Sequence, residues 1–183
     1  GLIAFWIKSP DTITMITRHH SDGPTLSSAT YSDCETYRYA LTRTWDTTAK
    51  CLMFVMLNPS KATEAHNDPT VGRCENRARS LGYGAFRVTN LFALRETDPR
   101  AMRRHIEPNG PDNDQTLMEG AVWADTTIAA WGIHGVHQSR NTEVTHLFLK
   151  HKCDLYVLGL TKAGHPRHPL YMPYSALPTP WRS

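Results

Sequence analysis

Four short polar segments carry the side chains of this sequence that are best suited to chemistry. They are Asn58-Pro59-Ser60, Thr89-Asn90 with Arg95, Trp131-Gly132, and a stretch with two His-Pro steps at His165 and His168. The sequence has no GxSxG, GxxxxGK(S/T) or GxGxxG motif, so acyl transfer, ATP-driven chemistry and dinucleotide binding lack their usual signatures. Side-chain amides, imidazoles and loop N–H groups instead suit cleavage of a bond whose leaving group departs as an anion.

Each of these candidates also has a structural explanation that the sequence leaves open. Asn58 can orient a water molecule, but an Asn before a proline also favours an Asx turn. Asp68 precedes a proline and is expected to cap a helix, although its carboxylate could also contact water or substrate. Two His-Pro steps in one loop are harder to explain by packing, so we expect His165 or His168 to be functional.

Strands predicted from apolar runs position these segments. Residues 50–57 are apolar on both faces, which is typical of a buried strand in a parallel sheet, and they end at Asn58. Further strands are predicted at 85–90, 125–131 and 154–160. Helices predicted at about 70–81, 99–104, 113–124 and 138–150 alternate with them. Because ligands bind beyond the carboxyl ends of parallel strands, the polar segments should converge at one edge of the sheet.

The alternation of strands and helices predicts one three-layer α/β domain with a central, mainly parallel four-stranded sheet. An N-terminal β-hairpin is expected from residues 29–31 and 37–45, whose aromatic and β-branched residues flank a turn. We interpret residues 1–27 as an extension or irregular lead-in and residues 28–183 as the single domain. The Pro-rich tail from Met172 to Ser183 is expected to be irregular.

Composition limits the partners of the protein. The 183 residues include 20 Lys and Arg against 17 Asp and Glu, and the formal charge of +3 is compatible with a nucleic-acid partner. The four cysteines form no CxxC pair, so we expect reduced, buried thiols, no structural zinc and a cytoplasmic location. His134 and His137 have a spacing that can bind metal, but no other ligands accompany them, so we expect no metal site and no cofactor.

Membrane association is not expected from the apolar pattern. No apolar segment approaches the ~20 residues that a membrane span requires. The apolar stretch at residues 1–7 is short and lacks a basic leader, which makes it a poor signal peptide. We take the protein to be a monomer.

Several longer motifs give the chain a resemblance to a known family. Residues from about 29 to 174 resemble an uncharacterised family known only as a domain of unknown function. The motifs that carry this resemblance are Tyr37-Arg38-Tyr39, LNPS followed by DPT, NLFALR with DP, GPDND, WG and GHPRHPLY.

The order of these motifs is also similar to that of the uracil-DNA glycosylase superfamily. LNPS resembles the loop after that superfamily's first strand, in the variant that has Asn rather than an acid. VTNLFALRETDP, IAAWG and LGLTKAGHPRHPLY are similar to its Thr-Asn strand end, its Gly-terminated strand and its final His-Pro loop. Leu57 stands where the superfamily usually has Gly, and no Ser follows the His-Pro step, so the resemblance leaves the target base open.

This second resemblance implies base flipping and cleavage of an N-glycosidic bond. Asn58 would position water at the sugar carbon, and His168, or else the other His-Pro histidine, would stabilise the departing base. Phe92 would stack on the base. The other implied contacts to the base are Pro59, Ser60, Asn90, Arg95, Trp131 and Gly132. Asn90 could instead satisfy loop backbone groups, and Phe92 and Trp131 could be core residues.

The same resemblance implies contacts to DNA, single- or double-stranded. Leu170 and Tyr171 are candidates for a wedge into the vacated base stack. Lys162, Arg167 and Arg140 would meet phosphates, a role that positions the protein without reading sequence.

The leading hypothesis is a DNA glycosylase that removes a non-standard or modified pyrimidine and leaves an abasic site. It would be monofunctional, because no lysine is placed as an obvious Schiff-base nucleophile. Its role could be DNA repair or defence against phage with modified DNA. The alternatives are an N-glycoside hydrolase acting on a nucleoside or nucleotide, and a non-catalytic nucleic-acid binding module.

Overall fold

The computed structural model describes residues 15–182 as one mixed sheet with helices packed against it. Its strands are β1 (Met15–Asp22), β2 (Thr25–Ser32), β3 (Arg38–Thr44), β4 (Cys51–Met56), β5 (Ala85–Asn90), β6 (Thr126–Ala129), β7 (Leu155–Val157) and β8 (Thr179–Trp181). Its α-helices are α1 (Pro69–Ser80), α2 (Pro99–Arg104), α3 (Asn113–Trp123) and α4 (Arg140–Lys150). Two 3₁₀ segments lie at Ile133–Ser139 and Pro169–Tyr171. The expectations for residues 1–14 lie outside the described residues.

The sheet has eight strands in the order β1-β2-β3-β5-β4-β6-β7-β8. It is mostly antiparallel, because β1–β2, β2–β3, β3–β5 and β7–β8 pair in opposite directions. The pairings of β5 with β4, β4 with β6 and β6 with β7 are parallel. The mixed α/β class is therefore confirmed, but the prediction of four strands plus a separate hairpin gives too small a sheet.

Strand β4 is the centre of the core because its side chains are buried on both faces of the sheet. Leu52 and Phe54 belong to a cluster with the buried residues of α1. Met53 and Val55 point the other way, into a cluster with buried residues of α3 and α4. Burial of each such side chain contributes about 1.5–3 kcal/mol to folding, and the double coverage explains why the run lacks a polar face.

The lead-in predicted to be irregular is instead strand structure. Residues 17–27 form most of β1 and the beginning of β2, joined by a turn at Gly23 with φ of +55°. β1 is the edge of the sheet and is largely exposed, so its sequence carries no apolar alternation. The signal on which the strand predictions depended was therefore missing from this segment.

The C-terminal tail is also more regular than expected. Thr179–Trp181 forms β8, which pairs antiparallel with β7 at the other edge of the sheet. An edge strand tolerates Pro180, because a proline there need not donate a hydrogen bond to a neighbour. Trp181 packs edge-on against Trp131, with ring centroids 5.6 Å apart, so the tail supports a residue predicted for the site.

Capping signals located the helices well. Asp68 and Asp98 each accept an N–H from the first turn of the helix that follows, α1 and α2 respectively. α4 begins at Arg140 rather than at residue 138, because Gln138 and Ser139 have positive φ angles of 54° and 55°. Such angles belong to the left-handed region and cannot continue a right-handed helix.

Composition also predicts reduced, buried cysteines, no membrane span and no metal site. All four cysteines are free thiols, with Cys74 buried as expected but Cys34 exposed. Within residues 15–182, no helix is long and apolar enough to cross a membrane. In the same range, no group of three or more His, Cys, Asp or Glu side chains is placed to hold a metal ion.

Candidate active site

A cavity of about 700 Å³ lies at the edge of the sheet where β4, β5 and β6 end. These strands run parallel, so the loops that follow them meet at the same edge. The cavity is lined by these residues of the predicted site: Asn58, Ser60, Asn90, Trp131, Gly132, Arg167, His168, Leu170 and Tyr171. The segments predicted to converge therefore contribute to one cavity.

Asn58 projects from the first turn after β4 and is held by the loop that follows β5. Its amide Nδ2 donates to the carbonyl oxygen of Glu96 at 2.6 Å. In the described part of the chain its Oδ1 accepts no hydrogen bond, so the local Asx turn considered above does not form. This oxygen remains able to accept a hydrogen bond from water or substrate.

Asn90 joins the ends of β4 and β5. It is the last residue of β5 and only 1% exposed. In the amide orientation that satisfies both of its polar atoms, its nitrogen donates to the backbone oxygens of Thr89 at 3.2 Å and Asn58 at 3.1 Å. It therefore satisfies loop backbone groups, one of the two roles left open, and it also lines the cavity.

His168 also lines the cavity, at the start of the 3₁₀ segment Pro169–Tyr171. Its Nδ1 accepts the backbone N–H of Leu170 at 3.2 Å, so a neutral imidazole carries its proton on Nε2. Burial lowers the pKa of His168 from its usual value, and the carboxylate of Asp68 opposes this shift. At neutral pH the ring is therefore an uncharged hydrogen-bond donor.

The other His-Pro histidine lies in a tight turn away from the cavity. The backbone N–H of His165 donates to Thr161 Oγ1 at 3.1 Å, and its carbonyl accepts the N–H of Thr161 at 2.9 Å. His165 does not line the cavity. Of the two histidine candidates, His168 is the one with access to a ligand there.

Gly132 connects the end of β6 to the His-Pro segment. Its N–H donates to the carbonyl oxygen of Pro166 at 2.8 Å. Its backbone has φ of +72° and ψ of −163°, a conformation that is essentially restricted to glycine. A glycine here lets the chain turn sharply enough to bring β6 and the loop that carries His168 together.

Trp131, next to this glycine, is both a core residue and part of the cavity wall. It is 2% exposed, and its indole Nε1 has no hydrogen-bond partner among residues 15–182. Gly135 packs against the indole so closely that a Cβ there would lie 2.5 Å from Cδ1. The ring is therefore fixed in place and has a free N–H donor.

Residues 38–170 match the family described as "Protein of unknown function (DUF1643)". The chain belongs to this family. No curated protein and no solved structure matches the chain. The matched range extends from Arg38 to Leu170 and so includes nearly all of the residues that line the cavity. The expectation of an uncharacterised domain family is confirmed, and the family itself names no activity.

Two residues of the DUF1643 domain that were predicted for the site are structural instead. Phe92 is fully buried in the core beside His137, with ring centroids 5.6 Å apart, so it offers no face to a flipped base. Arg140 is 1% exposed and pairs with Asp114 at 2.6 Å and Glu143 at 3.0 Å. These carboxylates occupy the guanidinium of Arg140, an arrangement that does not favour the predicted phosphate contact. Its position in the predicted helix 138–150 did not reveal these acidic partners.

Four further predicted residues lie outside the cavity lining. Asp68 caps α1 by accepting the N–H of Val71 at 2.9 Å, and it acts on His168 only through its charge. Pro59 is buried in the loop after β4. Arg95 is exposed, with its guanidinium 4.9 Å from the ring centroid of Tyr31. Lys162 is exposed in the turn before His165.

Several residues that line the cavity were not predicted from the sequence. The polar ones are Arg38, Thr70, Thr97, His134 and Thr161, and the apolar ones are Met56, Leu57, Val71, Val88, Pro99 and Ile133. Arg38 is the unexpected charge among them. It lies between Tyr37 and Tyr39 in the predicted hairpin segment 37–45, and it is 1% exposed. The sequence pattern did not identify it, because the burial of β3 on both faces is apparent only in the folded sheet.

Proposed function

We propose that this protein is a monofunctional DNA glycosylase that hydrolyses the N-glycosidic bond of a non-standard or modified pyrimidine nucleotide. The observation that carries the proposal is that Asn58 and His168 line one cavity, the first with a free acceptor oxygen and the second as a neutral donor. Those are the two groups that hydrolysis needs, one for the attacking water and one for the departing base.

The strand arrangement supports the likeness to the uracil-DNA glycosylase superfamily. Strands β5, β4, β6 and β7 are neighbours with parallel pairings. Each of the four leads into one of the motifs on which that resemblance rests, from LNPS after β4 to GHPRHPLY after β7. A central parallel unit of this kind, extended by antiparallel strands at both edges, is the finer fold that we propose.

The proposed reaction needs no charged catalyst. The bond between the sugar carbon and the base nitrogen breaks, and its electron pair leaves with the base. Asn58 Oδ1 would orient a water molecule, whose oxygen forms the new bond to the sugar carbon. The proton that this water loses passes to bulk solvent, and the departed base anion takes up a proton from the solvent. The Nε2–H of His168 would donate to an oxygen of the base and stabilise the negative charge that develops there. A lowered histidine pKa suits this role, because the donor must be neutral imidazole.

The rim of the cavity has features that suit a nucleic-acid substrate. Leu170 and Tyr171 line the cavity and remain 38% and 77% exposed, so they are available to fill the gap left by a flipped base. Arg167 and Lys162 are exposed close by in the sequence and would contact phosphates. Ser60, Asn90 and Trp131 would contact the base. Repair of DNA and defence against phage with modified DNA are the roles that we propose for this activity.

The proposal is tested by incubating the protein with end-labelled oligonucleotides that carry different bases, including bulky modified cytosines. Alkaline cleavage then reveals any abasic site. We expect cleavage at one class of base, in single- or double-stranded DNA. Release of a base only from free nucleosides or nucleotides would instead indicate an N-glycoside hydrolase. DNA binding without product, unaffected by Asn58→Ala and His168→Ala, would indicate a binding module. No product and no DNA binding at low salt would overturn the proposal.

A further inference from the structure

We propose that Arg38 forms an anion-binding subsite in the cavity, which takes a phosphate or carboxylate group of the substrate. The inference concerns the site described above, and it rests on the proposed function only for the class of substrate. It is carried by the contacts of Arg38 and by a comparison with the other buried arginines.

Three other arginine side chains are buried, and each of them serves the fold. Arg43 donates to carbonyl and side-chain oxygens of residues 63–67, at distances from 2.7 Å. Arg77 donates to three carbonyl oxygens of residues 172–176. Arg140 pairs with two carboxylates. Their charge is offset by several oxygens of the protein itself.

Arg38 has far fewer partners and lies in the wall of the cavity. It is 1% exposed, and its Nη1 donates to the carbonyl oxygen of Ala62. Its buried Nε has no hydrogen-bond partner in the part of the chain that the structure describes. The same is true of Arg77 Nε, but Arg77 donates to three carbonyl oxygens through Nη1 and Nη2. Within the described residues, Arg38 forms no salt bridge. A buried guanidinium with unused donors beside an open cavity indicates a group that a ligand completes.

The charges that face Arg38 are unbalanced. Asp68 favours the charged guanidinium, whereas Arg95 and Arg43 disfavour it. Burial lowers the pKa of Arg38 to about 10, so the side chain is still cationic at neutral pH. Tyr31 is close as well, but its pKa is raised and its hydroxyl is neutral there. This part of the wall therefore carries positive charge that an anionic ligand would balance.

The shape of the donor selects the kind of anion. A guanidinium presents parallel N–H groups that match two oxygens of a phosphate or a carboxylate. Asn58 and His168 line the same cavity, so an anion at Arg38 would hold the substrate beside them. In a nucleotide the anion could be a backbone phosphate or an acidic group on the base, and both present the same oxygens.

Isothermal titration with three probes tests the subsite in the intact protein. The probes are inorganic phosphate, deoxyribose 5-phosphate and orotate, a pyrimidine that carries a carboxylate. We expect the wild type to bind phosphate and Arg38→Met to bind it about tenfold or more weakly. The affinity of Arg38→Lys for phosphate should lie between these two values, because lysine keeps the positive charge but lacks the parallel N–H groups of the guanidinium. Tighter binding of deoxyribose 5-phosphate assigns the subsite to a backbone phosphate, and tighter binding of orotate assigns it to the base.

Arg43→Met is the matched control. Arg43 is also buried on β3 and also fastens the loop between β4 and α1, but it does not line the cavity. The Arg43→Met variant should bind the three probes as tightly as the wild type does. If Arg38→Met does not fold, weaker binding by Arg38→Lys than by Arg43→Met supports the subsite in its place.

Two results would overturn the inference: no anion binds to the wild type, or Arg38→Met and Arg38→Lys bind the anions as tightly as the wild type does. Failure of the Arg38 subsite can be distinguished from failure of the proposed glycosylase activity. Anion binding that depends on Arg38 without excision of any base keeps the subsite and rejects the glycosylase. Excision of a base with anion binding independent of Arg38 rejects the subsite alone.

Discussion

His168 and Asn58 reach the cavity from different elements, and backbone contacts orient both side chains. His168 is oriented by the N–H of Leu170, and Asn58 by the carbonyl of Glu96. Both were predicted because polar residues after parallel strands converge. Arg38 was not, because a strand residue between two tyrosines gives no sign of which face is covered. Phe92 was assigned to the base from the resemblance to the uracil-DNA glycosylase superfamily, and its burial favours the core role that was left open.

Replacement of His168 should remove much of the activity. His168→Ala is expected to lower kcat by about 10²–10³-fold with a small effect on KM, because the donor acts on charge that develops in the transition state. His165→Ala should lower kcat far less, because His165 lies outside the cavity. Single-turnover rates on the preferred oligonucleotide measure both. A larger loss for His165→Ala would reverse the assignment of the two histidines.

The pH dependence of stability provides a second test of the environment of His168. Its pKa is lowered in the folded protein, so below the unfolded value of about 6.5 the unfolded chain binds more protons. The free energy of unfolding should therefore fall as the pH drops from about 6.5 toward the folded pKa. Denaturant unfolding at about pH 7.5 and about pH 5.5 should show a smaller loss for His168→Gln than for the wild type. Equal losses would mean that burial does not shift this histidine.

At the level of elements, the site depends on how firmly the His-Pro segment is attached to the sheet and to α1. Arg73 donates to the carbonyl oxygens of Pro169 at 3.1 Å and Met172 at 2.6 Å, and its guanidinium lies 4.3 Å from the ring centroid of Tyr174. Helices were predictable because caps and prolines are local signals. These long-range arginine contacts were not, since they join residues nearly a hundred positions apart.

The backbone at Gly132 should be sensitive to substitution. A Cβ would meet nothing within 4 Å, so Gly132→Ala tests only the cost of its φ of +72°. We expect the free energy of unfolding to fall by about 1–3 kcal/mol. Gly72→Ala is the control, because it is also unobstructed but lies in helix α1, where alanine should stabilise by about 0.5–1 kcal/mol. A neutral Gly132→Ala in urea unfolding would contradict the strained conformation.

Over the whole molecule, burial on both faces of the sheet decides what the sequence could predict. Where helices cover both faces, as at β4, the apolar run identified the strand to within a residue or so. β1 is largely exposed and β8 contains a proline, so neither shows the apolar pattern of a strand. The edge that carries the cavity was predictable because it depends on parallel strand direction. The antiparallel strands at the two edges of the sheet could not be predicted, because their formation depends on pairing with a neighbouring strand rather than on an apolar pattern of their own.

The electrostatic contacts to DNA should be few, because the net charge is only +3. Lys162→Ala is expected to reduce the slope of log affinity against log salt by about 1, as loss of one phosphate contact does. Lys50→Ala is the control, since Lys50 is exposed at the start of β4, opposite the end that reaches the cavity. Fluorescence anisotropy across a salt series measures the slope. Equal slopes for the two variants would place the DNA elsewhere.

The most direct measurement is mass spectrometry of the products when excess protein meets one oligonucleotide that carries a preferred base. Hydrolysis of an N-glycosidic bond predicts free base and an abasic oligonucleotide in equal amounts. Asn58→Ala should slow their formation by about 10²-fold. An oligonucleotide that keeps every base with the wild-type protein, or equal rates for the wild type and Asn58→Ala, would contradict the account.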